Sequence, residues 1–301
     1  MEYLTLYNGV AIPQLGFGVF QIPDYAEAKA AVASALQAGY RLIDTAQAYG
    51  NEQAVGDAIR ESGIKRGEVF VTTKLWIRDF SYDGALKATQ VSLDRLGTDY
   101  IDLMLLHQPM GDYIGAWRAL ETLYHEGKLR AIGMANCYPH VLADLCETFT
   151  IKPMINQVEL HPFFQQPKNL ETMRRYGVVP EAWAPFDEGK RNFFADPTLT
   201  AIGRKYGKSA AQVALRWNIQ RGVVVIPKTV RPERMRENMD VFDFSLSDGD
   251  MAAIRAWTSG TARLSTTSTP TGSGCCTRCK RGLPAGTPDM TAQYTPMRGR
   301  R

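Results

Sequence analysis

Ile101-Asp102-Leu103-Met104-Leu105-Leu106, handing over to His107, is the stretch on which the reading of the fold turns. It is too short to span a bilayer and follows a turn at Gly97, so it reads as a buried strand. A helix-like stretch around Trp117 to Tyr124 comes next. Upstream, Asp24 to Leu36 sets Ala28, Val32, Ala35 and Leu36 at i, i+4, i+7 and i+8, the stripe of a helix packed on a core, and Gly39 stops it. The alternation recurs as far as Val223-Val224-Val225-Ile226-Pro227. Repeated βα units argue for a parallel sheet covered by helices.

Seven apolar runs end in, or hand over to, Asp44, Lys74, His107, Asn136, Gln157, Trp183 and Lys228. Leu15 to Phe20 supplies an eighth, as strand one. Parallel strands closed into a (β/α)8 TIM barrel bring such residues into one site, because active sites collect at the strands' C-terminal ends. Such a barrel typically needs about 250 residues, and the patterned part of the chain, 1–257, is expected to form one catalytic domain of this α/β class. Tyr3 to Leu6, the turn at Asn8-Gly9, and Val10 to Pro13 read as an N-terminal β-hairpin plugging the barrel's N-terminal end.

From Thr258 onward the pattern stops. Thr, Ser, Gly and Pro make up more than half of 258–301, with no period, so an irregular, disordered tail is expected. Cys276-Thr277-Arg278-Cys279 has no second Cys/His pair at suitable spacing, and no metal is assigned. Of the 35 basic and 31 acidic residues, the segment before Thr258 carries 28 and 30. That near-neutral balance gives no reason to expect a nucleic-acid partner. Met1 to Gly9 has neither the basic start nor the apolar run of a secretory signal, and no stretch reaches transmembrane length. A cytoplasmic monomer without membrane contact is expected, and Cys137 and Cys146, without framework spacing, suit a reducing compartment.

Gly39-Tyr40-Arg41-Leu42-Ile43-Asp44-Thr45-Ala46-Gln47-Ala48-Tyr49-Gly50-Asn51-Glu52 resembles the first signature of the aldo-keto reductases, of the prokaryotic aldehyde and diketogluconate reductase type. Val71-Thr72-Thr73-Lys74-Leu75-Trp76 is similar to that family's lysine strand, and Asp99 to Pro109 to its histidine strand. Asn156-Gln157-Val158-Glu159-Leu160-His161-Pro162 and Ile226-Pro227-Lys228-Thr229 agree in order and spacing. The resemblance implies Tyr49 as proton donor, Lys74 and Asp44 as its tuners, and His107 as orienter of a carbonyl. The chemistry supports this independently. Hydride added to a carbonyl carbon leaves charge on oxygen that needs a proton, and an ammonium beside a phenol is expected to lower its pKa from about 10. A desolvated lysine needs a carboxylate to keep its charge. Singly, each residue has a plainer reading as a cap, a solvated charge or a core histidine. His125, His140 and His161 are taken as structural or surface residues.

NADPH is the implied hydride donor, although Gly16-Phe17-Gly18 lacks the third glycine of a Rossmann fingerprint. Barrels offer another phosphate site after strands seven and eight, at the N-terminus of a short extra helix. Lys228, Thr229 and Arg234, with Pro232 opening a helical stretch through Asn238, suit a ribose 2′-phosphate and favour NADPH over NADH. The resemblance adds Glu237 and Asn238 on the adenine side, Gly18 and Val19 along the cofactor, Trp183 stacked on the nicotinamide, and Asn136 and Gln157 at its carboxamide. Ala135 departs from the family's frequent serine, and Asp187-Glu188 departs from small residues, with Lys190 and Arg191 expected to offset the charge. Phe20, Trp76 and Gln108 are expected to line a pocket for small aldehydes, ketones or sugar-derived carbonyls.

The tail does not resemble the family's pocket-closing ending. Taking the third base of each codon with the first two of the next, Ser265 to Thr271 permit Asp-His-Phe-Asp-Pro-Asp, and the residues just before permit Ser-Ser-Leu. That ending is similar to the family's, so a frameshift is one origin for the tail. Two further readings stand beside the reductase: an NADPH-binding sensor or regulatory protein of the same fold, and an enzyme impaired by its altered tail.

Overall fold

The computed structural model describes residues 1–258. The expectations for the rest of the tail, including its frameshift origin and its cysteines, lie outside the described residues.

Tyr3–Thr5 (β1) and Ala11–Pro13 (β2) pair antiparallel, with Tyr3 opposite Pro13. Gly9, at φ 88, takes the left-handed turn conformation that a residue without Cβ adopts at no steric cost. The hairpin sits against the segments that precede the sheet strands: Asn8 donates to the Arg130 carbonyl at 3.0 Å and Tyr7 to that of Lys152 at 2.6 Å.

Eight parallel strands follow in sequence order: Phe17–Gly18 (β3), Leu42–Asp44 (β4), Phe70–Leu75 (β5), Leu103–Leu106 (β6), Ile132–Ala135 (β7), Ile155–Glu159 (β8), Val179–Trp183 (β9) and Val224–Val225 (β10). The seam closes where Leu15 bridges Val225, with Gly16 donating to Val225 at 2.8 Å and Gly18 to Pro227 at 3.2 Å. Closure is therefore complete. The outer two strands are shorter than the runs Leu15 to Phe20 and Val223 to Pro227 suggested. Pro227 has no N–H to extend the ladder.

Ten α-helices lie among the described residues: Tyr25–Gln37 (α1), Glu52–Glu61 (α2), Tyr82–Leu96 (α3), Tyr113–His125 (α4), Pro139–Thr148 (α5), Pro167–Tyr176 (α6), Pro197–Tyr206 (α7), Ala210–Gln220 (α8), Pro232–Met239 (α9) and Asp248–Arg255 (α10). α1 buries the stripe read from the sequence, and Asp24 caps it by accepting from the Glu27 N–H. None of the helices is long and apolar enough to cross a membrane.

α2 and α3 pack at Gly56, where a Cβ would stand 2.2 Å from the Leu96 carbonyl oxygen. An alanine normally gains about 1 kcal/mol over glycine in a helix. Here the contact is backbone and cannot rotate away, so the overpacking penalty of about 1–3 kcal/mol or more outweighs that gain. Gly56→Ala is expected to lower the urea midpoint without changing the slope.

Candidate active site

The C-terminal ends of the strands converge on a cavity of about 570 Å³. Gly18, Phe20, Asp44, Tyr49, Trp76, His107, Gln108, Asn136, Gln157, Trp183 and Lys228 line it, from eight different strands or the segments after them, together with Arg234 on α9.

Its floor is an ion pair. Lys74 and Asp44 project from adjacent strands, Lys74 fully buried and Asp44 2% exposed, with Nζ 2.6 Å from the carboxylate. Nζ also donates to the Thr45 carbonyl at 2.9 Å and to the Tyr49 hydroxyl at 3.4 Å. Gln157 donates to the other Asp44 oxygen at 2.8 Å. Burial pulls the lysine pKa down, but Asp44 and Tyr49 more than restore it, and it lies above its ordinary value. Burial pushes the Asp44 carboxyl up, against the pull of Lys74 and Gln157.

Tyr49 ends a short 3-10 turn, Gln47–Tyr49, closed by Gly50 at φ 71. Gln47 fixes this turn by donating to Ala88 and Ser92 on α3 and accepting from the Trp76 N–H. Asn51, fully enclosed, donates to the Val19 and Ile22 carbonyls and accepts from Thr45, tying the loops after β3 and β4 together. Tyr49 is not acidified as expected. Burial raises the Tyr49 pKa by more than Lys74 lowers it, so the phenol is held firmly protonated rather than made acidic.

His107 packs edge-on against Tyr49 and Trp76, at centroid distances of 5.8 and 5.0 Å. Burial, with Lys74 nearby, pushes its pKa down to about 3. The ring is neutral at pH 7, with one N–H donor and one acceptor nitrogen. Phe20 lies 4.9 Å from the Tyr49 ring at the rim and is 49% exposed.

Asn136, at φ 57, ties two strand ends together: it donates to the His107 carbonyl and accepts from the Trp183 indole at 2.9 Å. The rim beyond β9 is conformationally unusual, with Ala184, Asp187, Glu188, Arg191 and Asn192 all at φ between 48 and 55. Such backbone costs of order 1–3 kcal/mol per residue and clusters at ligand sites. Arg191 and Lys190 answer the acidic pair as expected, at 2.7 Å from Asp187 and 2.6 Å from Glu188. Glu159, His161 and Asp187 bring potential metal-ligand atoms within 4.8 Å of one another. Arg191 already neutralises Asp187, and among the described residues the His161 Nδ1 has no acceptor to orient the ring, which metal-bound histidines normally have.

Five predicted site residues do not line the cavity. Lys74 acts from beneath, through Asp44 and Tyr49. Val19 is buried in the core, its carbonyl held by Asn51. Thr229 accepts from the Arg231 N–H at 3.2 Å. Glu237 and Asn238 lie on α9, with Asn238 buried against Tyr40. Sequence reading singled out Glu188, which lines the rim, but missed the rim residues Gln21, Phe186 and Phe194 and the buried Glu181 on β9. A carboxylate inside the run Val179 to Trp183 was the available signal for the last.

The model of the Aldo/keto reductase family matches residues 14–258. The chain belongs to that family. Membership makes it an NADP-dependent oxidoreductase acting on carbonyls. It is 47% identical over 256 residues to glyoxal reductase of Bacillus subtilis, covering 85% of this chain and 92% of that protein. It is also similar to an aldo/keto reductase crystal structure from Brucella melitensis, at 46% identity and TM-score 0.82, over 85% and 99% of the two chains. A Bombyx mori aldo-keto reductase solved in complex with NADP is 35% identical, with TM-score 0.81, over 85% and 92%.

Proposed function

We propose that this chain reduces small aldehydes and ketones to alcohols with NADPH, and that Tyr49 donates the proton. The supporting observation is the contact set on the cavity floor: Lys74 Nζ at 2.6 Å from Asp44 and 3.4 Å from the Tyr49 hydroxyl, with a neutral His107 against the same phenol.

The cavity fits a dinucleotide. Gly18 lines it, and a Cβ there would make a tight 3.0 Å contact with the Ile226 carbonyl oxygen. Trp183, Asn136 and Gln157 line it together with Lys228 and Arg234, and α9 begins at Pro232, where free N–H groups favour an anion. In this reading Trp183 would stack on the nicotinamide and Asn136 and Gln157 would meet its carboxamide. Gly18 would run along the cofactor and Lys228 and Arg234 would hold the 2′-phosphate; the resemblance adds Val19 beside Gly18, Thr229 beside Lys228, and Glu237 and Asn238 on the adenine side, none of which lines the cavity.

When bound, NADPH supplies the hydride for the carbonyl carbon. The carbonyl oxygen gains negative charge as this occurs, and Tyr49 transfers its proton there. A neutral phenol suffices, because the oxygen it protonates is the stronger base. Lys74 offsets the charge left on the phenolate, Asp44 keeps Lys74 ionised inside the barrel, and the His107 N–H orients the carbonyl. Phe20, Trp76 and Gln108 shape the substrate side. The catalytic unit is residues 1–257, acting as a cytoplasmic monomer, and a chromatographic mass of twice the chain would remove the monomer.

Following NADPH absorbance against a panel of aldehydes and ketones tests the activity. Tight NADPH binding with no turnover would favour the sensor instead. A charge-assisted contact is worth about 1.5–3 kcal/mol, so Arg234→Ala is expected to weaken NADPH binding about ten- to a hundredfold and NADH binding far less. Equal losses for both cofactors, measured calorimetrically, would remove Arg234 from the 2′-phosphate.

A further inference from the structure

β9 carries a carboxylate among apolar neighbours. Glu181 is fully buried, and neither of its carboxyl oxygens has a hydrogen bond of acceptable geometry among the described residues. Strand register sets it beside Gln157 on β8 and Val224 on β10. Gln157 lies close enough to favour the ionised form slightly, and it is the same side chain that holds Asp44. Gln157, the register partner of Glu181, links it to Asp44, and the charged and titratable groups whose charges act on it are Asp44 on β4, Lys74 on β5 and Tyr49 in the turn after β4. Glu181 does not line the cavity. An ionised carboxylate buried without donors is strongly disfavoured, and such a group takes up a proton instead.

We propose that Glu181 is a positioning residue of the reductase site: as a neutral carboxylic acid it leaves the Lys74–Asp44 pair balanced beneath Tyr49, and its ionisation turns proton donation off. This rests on the reading of Tyr49 as the donor. With Glu181 neutral, the floor carries one positive and one negative charge, and the phenolate formed in the reaction adds one more negative charge. With Glu181 ionised, that phenolate would form beside two carboxylates and one ammonium. The Glu181 anion pushes the Tyr49 pKa further up, so the phenol gives its proton less readily. Burial, then Asp44, push the Glu181 pKa up to about 8, with Lys74 and Gln157 opposing. The ordinary range of Tyr49 lies higher still, so the two titrations separate.

The test is the pH profile of carbonyl reduction at saturating NADPH for wild type, Glu181→Gln and Glu181→Met. For a group titrating near 8 whose protonated form supports the reaction, wild-type kcat falls about tenfold between about pH 7 and about pH 9. The NADPH dissociation constant stays flat over that range, and both variants lose the descending limb. Infrared titration of the wild type shows a protonated-carboxyl band lost with the same midpoint and absent from Glu181→Gln. Turnover with a limb that the variants retain overturns this proposal alone. No wild-type turnover at any pH overturns the reductase reading and this proposal with it. If neither variant folds, the wild-type band decides: coincidence with the activity limb supports the proposal, and its absence or persistence across the limb overturns it.

Discussion

Tyr49→Phe is expected to lower kcat for carbonyl reduction by about two to four orders of magnitude, the usual contribution of a positioned general acid. The substitution removes one hydroxyl and keeps the ring that packs on Phe20 and His107. Among the described residues the one hydrogen bond to that hydroxyl is the 3.4 Å contact from Lys74, and Lys74 retains two shorter bonds, to Asp44 and Thr45. Stability and NADPH affinity should therefore hardly change. A single-turnover assay with NADPH and an active aldehyde separates the cases. Turnover at the wild-type rate would remove Tyr49 as the donor, and a loss matched by failure to bind NADPH would make it a cofactor residue.

Lys74→Met is expected to cost about 3–5 kcal/mol of folding stability as well as activity, the penalty for removing one partner of a buried ion pair. Among the described residues Asp44, 2% exposed, would keep only the Gln157 amide as a side-chain donor. Its carboxyl, already pushed up by burial, would rise further once the ammonium is gone. An acid that binds its proton more tightly in the folded state destabilises the fold as pH rises above its unfolded pKa, so the variant should regain stability when acidified from neutral toward about pH 4. Adding Asp44→Asn should recover much of the loss at neutral pH, because the uncompensated charge is gone. Urea unfolding measures all three chains. A single variant as stable as wild type at neutral pH would mean that Asp44 was never ionised beside Lys74.

The barrel was legible because its signals are local. The run Ile101 to Leu106 is buried on both faces and therefore apolar almost throughout, and the α1 stripe repeats at helical spacing. Asp44, Lys74 and His107 were legible for a related reason: a charged or polar residue closing an apolar run must sit at a strand end, and parallel strands share one end. Glu181 escaped because it lies within its run, where pattern alone does not tell an inward carboxylate from an outward one. The strained rim from Ala184 to Asn192 escaped because left-handed backbone at non-glycine residues leaves no compositional mark.

Sequence by itself determined the repeating βα architecture, the family, and the four polar residues gathered at one end, since hydrophobic periodicity and residue spacing are written along the chain. Tertiary structure alone decided the electrostatic state of that end. How far a side chain is removed from water depends on atoms contributed by every other strand. Thus Tyr49, expected to be acidified by Lys74, is held protonated by burial instead, and Glu181 joins the titrating groups around it.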